Sequence, residues 1–253
     1  MFHALPSWQS YLATFHSQRP GITEDVLSRA YSQHGLTPYE WVTAPVPYGA
    51  RTLDLACGSG PCLRLRPGEA WVGVDRSAEE IARAHSRGTV NILEANATAL
   101  PFEDTMFDAV VCSMAVMLLH PLRLALSEVS RVLRPGGLFI LTMPGRRPLQ
   151  LHDVARYVGL LGRMGRWRLS YPNVSVMSRH TSFIESSGFR VVEDLRQRFA
   201  FSFDTTDDGA LFVRSLYLPN IDVASLRRGE NFAATWVGGE IGIPLRRITL
   251  ERE

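Results

Sequence analysis

The sequence predicts an α/β fold built on a parallel sheet, and three observations predict it. From Arg51 onward, short apolar runs alternate with helical stretches, the signature of strands joined by crossover helices. The first run, Leu53-Asp54-Leu55-Ala56, passes straight into Cys57-Gly58-Ser59-Gly60. The second, Trp71-Val72-Gly73-Val74, ends on the carboxylate of Asp75. With 253 residues, 45% of them hydrophobic and 21% charged, the chain can build one large core but not two generous domains.

The N-terminal stretch 8–45 reads as helical, with Trp8, Tyr11, Leu12 and Phe15 at helical spacing and a break at Pro20-Gly21. Thr23 is placed to cap a helix over Glu24-Asp25-Val26-Leu27. The expected division is an N-terminal helical cap over 1–48 and a core over 49–253. Strands are expected at 51–56, 71–75, 90–94, 107–113, 137–143, 189–195 and 243–250. Helices are expected near 77–87 and 122–133. Ser77 caps the first of these, with Glu79 and Glu80 in the turn where the helix dipole favours negative charge. The second is stopped by Pro135-Gly136-Gly137. Beyond residue 144 the connections lengthen, and 148–168 and 204–240 read as insertions of the kind that form lids or substrate walls.

Composition excludes several classes. All 27 basic residues are arginine, so a lysine Schiff base, a P-loop lysine and a lysine general base are ruled out. A net charge of +2 argues against bulk nucleic-acid binding. Residues 1–144 hold 11 Arg against 13 acids, and residues 145–253 hold 16 Arg against 12. Cys57, Cys62 and Cys112 are an odd set without framework spacing, which suits a reducing cytoplasm. The start Met1-Phe2-His3-Ala4-Leu5-Pro6 has no basic n-region or apolar h-region, so no signal peptide is expected. The run Ala109 to Leu119 falls short of the roughly 18–20 residues of a membrane span. A cytoplasmic location with no membrane partner and no metal site is the expectation.

The glycine-rich turn lets a ligand pack on bare backbone, and amides at the following helix start can hold a polar or anionic group; a generic strand-to-helix turn reads the same way. Asp75 lies 15 residues beyond Gly60, where a strand-end acid can accept hydrogen bonds from both hydroxyls of an adenosine ribose. Capping the Ser77 helix is the other reading of Asp75. A third element, Asn96-Ala97-Thr98-Ala99-Leu100-Pro101-Phe102, precedes Phe107-Asp108-Ala109-Val110-Val111, and a fourth is Arg131-Val132-Leu133-Arg134-Pro135-Gly136-Gly137.

With these four motifs in this order and spacing, the chain resembles the class I S-adenosylmethionine (SAM)-dependent methyltransferases, in particular the small-molecule group related to the ubiquinone and menaquinone enzymes. The resemblance is strong over 50–144 and weak over 180–253. It implies a Rossmann-like seven-stranded sheet of order 3-2-1-4-5-7-6 with the last strand antiparallel and the ligand at the topological switch point. It implies Asp54, Gly58 and Gly60 around the methionine part of SAM and Asp75 on the ribose, with Ala56, Ser59 and Arg76 also in the cofactor site. Asn96, Ala97 and Thr98 would meet the adenine, and Cys112, Ser113 and Met114 would lie beside the sulfonium and acceptor. S-adenosylhomocysteine would be the product.

The chain departs from the family pattern in three places. Asn96 stands where the family usually has Asp, and its amide oxygen can still accept from the adenine amino group. Only ten residues separate Gly60 from Trp71, among them Pro61, Pro67 and Gly68, so the first crossover helix must be short. Some sugar O-methyltransferases carry a His-His pair after the fourth strand, where this chain has Met117 and Leu118; the family role does not carry over to His120. A nicotinamide-binding reading would want a third glycine at Leu63 and is rejected.

The donor is legible and the acceptor is not, because the cofactor brings an activated methyl group and the protein aligns reactants and excludes water. A base is needed only for a hydroxyl, an acidic carbon or a protonated amine. Candidate bases are His16 and His120 foremost, with His152 and His180; for each, a surface or structural histidine is the more common reading. Arg19 is either a partner for the SAM carboxylate or a surface residue. Tyr11, Phe15, Met114, Met117 and Tyr157 are candidates to line the substrate, although amphipathic packing accounts for Tyr11 and Phe15 equally well. Phe199, Phe201, Phe203, Trp167 and Trp236 either line an apolar cavity or fill the core.

Gly145 to Ser170 carries six arginines against Asp153, interleaved with Leu149, Val154, Tyr157, Val158 and Leu161. It reads as a solvated helix over the site mouth or a lid attracting a carboxylate, a phosphate or an acidic carrier protein. The expected function is methyl transfer from SAM to O, N or C of a small, fairly apolar metabolite; the lysine-free composition is associated with bacterial secondary metabolism. A SAM-binding protein of non-methylating chemistry is the alternative. A nucleic-acid methyltransferase is disfavoured by Cys112-Ser113-Met114-Ala115 after the fourth strand. A homodimer is left open.

Overall fold

The structure, a computed structural model, describes residues 7–68, 70–173 and 187–253. The N-terminal segment forms α1 (Trp8–Gln18), α2 (Ile22–Leu27), β1 (Ala30–Tyr31) and α3 (Pro38–Thr43). The alternating region supplies β2 (Thr52–Leu55), α4 (Pro61–Arg64), β3 (Trp71–Asp75), α5 (Ala78–Ser86), β4 (Ile92–Glu94), β5 (Phe107–Ser113), α6 (Leu122–Val132) and β6 (Leu133–Pro144). Then come α7 (Leu151–Arg163), β7 (Phe189–Ser202), α8 (Thr206–Ser215), α9 (Val223–Ala234) and β8 (Glu240–Arg252).

All strands join one sheet of order β1-β7-β8-β6-β5-β2-β3-β4. From β2 to β6 the pairings are parallel, and β8 runs antiparallel to β6 and β7. The expected seven-strand order is present, read from β4 to β7, but the sheet has an eighth strand. β1 lies inside the stretch read as purely helical and pairs antiparallel with β7, Ala30 opposite Phe201 and Tyr31 opposite Ala200. Two residues are too few for a period-2 signal; Ala30 joins the sheet because its side chain is fully buried.

Three other boundaries differ from expectation. α2 starts at Ile22, with Gly21 as its N-cap at φ +80°, so Thr23 lies inside the first turn. β6 begins at Leu133, and its register to β5 shifts between Phe107 and Ala109. Pro135-Gly136-Gly137 is therefore an excursion within the strand, where a Cβ on Gly137 would lie 2.8 Å from the Arg134 carbonyl oxygen. The insertions are helical: 148–168 holds α7, and 204–240 holds α8 and α9. These last two meet at Gly209, where a Cβ would come within 2.5 Å of the Ala234 nitrogen. The short crossover appears as the four-residue α4, and Ser77 caps α5 by accepting from the Glu80 amide at 3.3 Å.

Phe199, Phe201, Phe203 and Trp236 are buried in the cluster beneath α8 and α9, with Phe212 and Leu245, so they fill core. Trp167 is 99% exposed. Among the described residues no helix is long and apolar enough to cross a membrane.

Candidate functional site

A cavity of about 490 Å³ opens at the carboxyl ends of β2, β3 and β5 under the N-terminal segment. Asp54 forms its floor. The residue sits in β2 between Gly73 of β3 and Val111 of β5, and its side chain lines the cavity. Both carboxylate oxygens are buried without a hydrogen-bond partner. Burial, and next the nearby Asp75, push its pKa well above the usual carboxylate range. An unpaired buried carboxylate is costly unless a cation or donor meets it.

Beyond Asp54 the chain twists through left-handed conformations at Ala56 (φ +54°) and Gly58 (φ +52°). An alanine there is strained, a feature that collects at ligand sites. The turn is held by Asp75: the Gly58 amide donates to its Oδ2 at 2.8 Å and the Ser77 amide to its Oδ1 at 2.9 Å. Asp75 therefore caps and shapes backbone, and each carboxylate oxygen keeps a lone pair for a further donor. Asn96 accepts from the Thr98 amide at 3.1 Å, which fixes the next wall. On the far side Met114 takes φ +57°, its amide donating to the Thr142 carbonyl at 3.0 Å.

The N-terminal segment closes over this floor through carboxylates. Glu80, 4% exposed, binds His16 Nδ1 through Oε1 at 2.8 Å and accepts from the Gly21 amide through Oε2 at 2.9 Å. His16 Nε2 lies 3.4 Å from the Tyr217 hydroxyl. Glu24 accepts from Ser59 Oγ at 2.5 Å and pairs with Arg64 and Arg87. The lining carries the carboxylates of Glu24, Asp54, Asp75, Glu79 and Glu80 against Arg76, His16 and His120, an electrostatic match for a cationic ligand.

Of the residues singled out in the sequence, the cavity gathers Asp54, Ala56, Gly58, Ser59, Asp75, Arg76, Asn96, Ala97, Thr98, Ser113, Met114, His16 and His120. The other described candidates stand outside its lining. Gly60 caps α4 and faces Thr89 and Ile92. Cys112, one step along β5 from Ser113, turns into the core, and burial pushes its thiol up to about 12. Arg19 reaches the Arg214 carbonyl at 3.4 Å and stacks over Phe15. Tyr11 accepts from the Leu218 amide at 2.7 Å, Phe15 packs on Tyr217, Met117 is fully buried, and Tyr157 donates to the Gly242 carbonyl at 3.1 Å. His152 lies on α7 beside Asp153, and His180 lies outside the described residues. Glu80, Glu24 and Tyr217 line the cavity without having been singled out; Glu80 carries the sequence signal of an ordinary first-turn acid.

A methyltransferase-domain family model matches residues 53–141. An uncharacterized methyltransferase of Synechocystis is 32% identical over 155 residues, covering 57% of this chain and 68% of the relative. The chain belongs to the class I SAM-dependent methyltransferases. A demethylmenaquinone methyltransferase of Thermus thermophilus is 42% identical to this chain over 104 residues, 37% of this chain and 47% of the relative. Matches to several other curated relatives span only 40% to 53% of their length. Among solved structures, the cyclase SpnF superposes on this chain with a TM-score of 0.61 at 18% identity, covering 100% of this chain and 99% of its own. A structure from work on conversion of a disulfide to a thioacetal in echinomycin biosynthesis gives 0.58 at 17% identity, covering 97% and 92%. These two likenesses concern the fold.

The residues present fit SAM. Its ammonium and sulfonium suit the acid-rich lining, and Asp54 lacks the donor that an ammonium would bring. Asp75 can accept from the ribose hydroxyls.

Proposed function

We propose that the chain transfers the methyl group of SAM to oxygen, nitrogen or carbon of a small, fairly apolar metabolite. The observation that carries this reading is the cavity itself: unpartnered Asp54 and strand-end Asp75 at one side, Leu12, Met114, Leu118 and Leu119 at the other. SAM supplies an activated methyl group, so the protein's part is alignment and exclusion of water. In this reading Asp54 meets the ammonium, Asp75 the ribose, and the Asn96-Ala97-Thr98 turn the adenine. Gly58 and Ala56 hold the backbone open for the methionine moiety.

His16 is the base of this scheme. With its proton on Nδ1 donated to Glu80, Nε2 is the basic nitrogen, and it takes the proton of a hydroxyl or acidic carbon as the methyl bond forms. His120, also on the cavity wall, is the second candidate. S-adenosylhomocysteine formation with label appearing in an added metabolite tests the transfer. The whole-length likeness in fold to SpnF supports a second reading, in which SAM is retained and a non-methylating reaction is catalysed. Tight SAM binding with no S-adenosylhomocysteine from any acceptor would favour that second reading.

A further inference from the structure

The outward face of α7 is apolar, the reverse of an ordinary surface helix. Leu151, Val154, Ala155, Val158 and Gly162 are all exposed, and at helical spacing they fall in one sector about 100° wide. Leu151 is 91% exposed, Val158 67% and Val154 45%. The opposite face is spent on the core, with Leu160 and Met164 buried beside Phe212 and Trp236. Rotating the helix to hide the outer stripe would expose the inner one. Just past the helix, the indole of Trp167 stands 99% exposed.

Positive charge frames this stripe. Arg146 and Arg147 precede α7 and Arg168 follows it, all exposed; Arg163, the last residue of the helix, is stacked on Phe232. The one acid between 145 and 173 is Asp153, fully buried and clasped by Arg198 at 2.7 Å. Glu240, the neighbouring acid on β8, is also bound by Arg198, at 2.7 Å. The surface therefore presents about 16 Å of apolar helix, an exposed indole and the exposed residues Arg146, Arg147 and Arg168, with no exposed carboxylate on the segment. No residue of 145–170 lines the cavity, so this face is independent of the catalytic reading.

We propose that this face docks the protein peripherally on an anionic lipid bilayer, with α7 lying in the headgroup plane. The apolar stripe and Trp167 enter the boundary between headgroups and acyl chains, and the arginines meet lipid phosphates. A second copy docked symmetrically on the same face would bring arginines against arginines. An acidic protein would answer the charges but not the stripe of Leu, Val and Trp. The sequence expectation of no membrane partner rested on the lack of a span, which peripheral docking does not require.

The test is co-sedimentation of the full chain with vesicles of phosphatidylcholine alone and with vesicles containing phosphatidylglycerol. Expected is binding to the anionic vesicles at least about tenfold stronger than to the neutral ones, reduced by high salt. Val154→Glu with Val158→Glu, both on exposed positions, should abolish the binding and leave SAM binding and the melting temperature unchanged. Arg146→Ser with Arg147→Ser should weaken it while leaving the apolar stripe intact. No sedimentation with either vesicle, or binding unaffected by the glutamate pair, overturns the proposal. So does a dimer in sedimentation equilibrium that the glutamate pair dissociates, or capture of a purified acidic carrier protein by this face without any vesicle binding.

Discussion

Two buried aspartates at different ends of the sheet, Asp153 against β8 and Asp54 in β2, show opposite solutions to one electrostatic problem. Asp153, on α7, is fully buried and receives Arg198 Nε at 2.7 Å, Arg198 Nη2 at 3.0 Å, the Gln150 amide at 2.8 Å and the Gly242 amide at 2.6 Å. Burial would raise its pKa, but the Arg198 fork and the two amides outweigh that and hold it at about 2. Asp54, on β2, is equally buried and has no partner at all, and its pKa rises. The α7–β7–β8 end of the molecule has satisfied its buried charge internally. The β2–β3 end leaves one unsatisfied, facing the cavity, and a protein that keeps such a group keeps it for a ligand.

The largest effect that could break this contrast is at Asp153. Asp153→Asn leaves Arg198 without its main partner, and a loss of about 3–5 kcal/mol in urea unfolding is expected, with SAM affinity of the folded fraction unchanged. Asp75→Ala should weaken SAM binding by about 1.5–3 kcal/mol in calorimetry, the scale of a lost charged hydrogen bond. Unchanged affinity would remove it from the ribose. Asp54→Asn should move the two observables apart: SAM binding weaker by about 1.5–3 kcal/mol, the ligand-free protein more stable by roughly 1 kcal/mol because a buried carboxyl with a raised pKa and no partner is gone.

The pH dependence of stability sharpens the same comparison. Asp153 and Asp208, the latter held at about 2 by Arg29 and Thr205, contribute stability that is full above the unfolded carboxylate value of about 3.9. That contribution is lost as pH falls through about 2. Asp54 has the opposite sign: its raised folded pKa makes stability decline as pH rises above about 3.9. Urea midpoints measured against pH should show that decline in the native protein and its absence in Asp54→Asn. The smallest effect is expected from Arg19→Ala: the side chain reaches the Arg214 carbonyl and the Phe15 ring, so SAM affinity should change by less than about 0.5 kcal/mol.

The parallel half of the sheet was legible because β2, β3 and β4 run into a glycine turn, an acid and an amide in turn, and such ends fall at one edge of a parallel sheet. Asp54, Gly58, Asp75 and Asn96 meet at the cavity for that reason. β1 was not legible, since its pairing with β7 depends on residues about 170 positions away in the chain. Glu80 looked like a dipole-favoured acid because its partners, His16 and Gly21, come from a distant segment. In α7 periodicity revealed apolar spacing without saying which side faces inward: Leu160 and Leu161 went in, Val154 and Val158 out.

The most direct measurement is calorimetric titration of SAM in buffers of different ionisation enthalpy near neutral pH, for the native chain and for Asp54→Asn. If the unpartnered Asp54 carboxyl holds a proton until the ammonium arrives, binding to the native chain should release protons, and the Asn variant should release fewer. SAM affinity undiminished in the Asp54→Asn variant, with proton release equal to that of the native chain, would contradict the assignment of Asp54 to the cofactor.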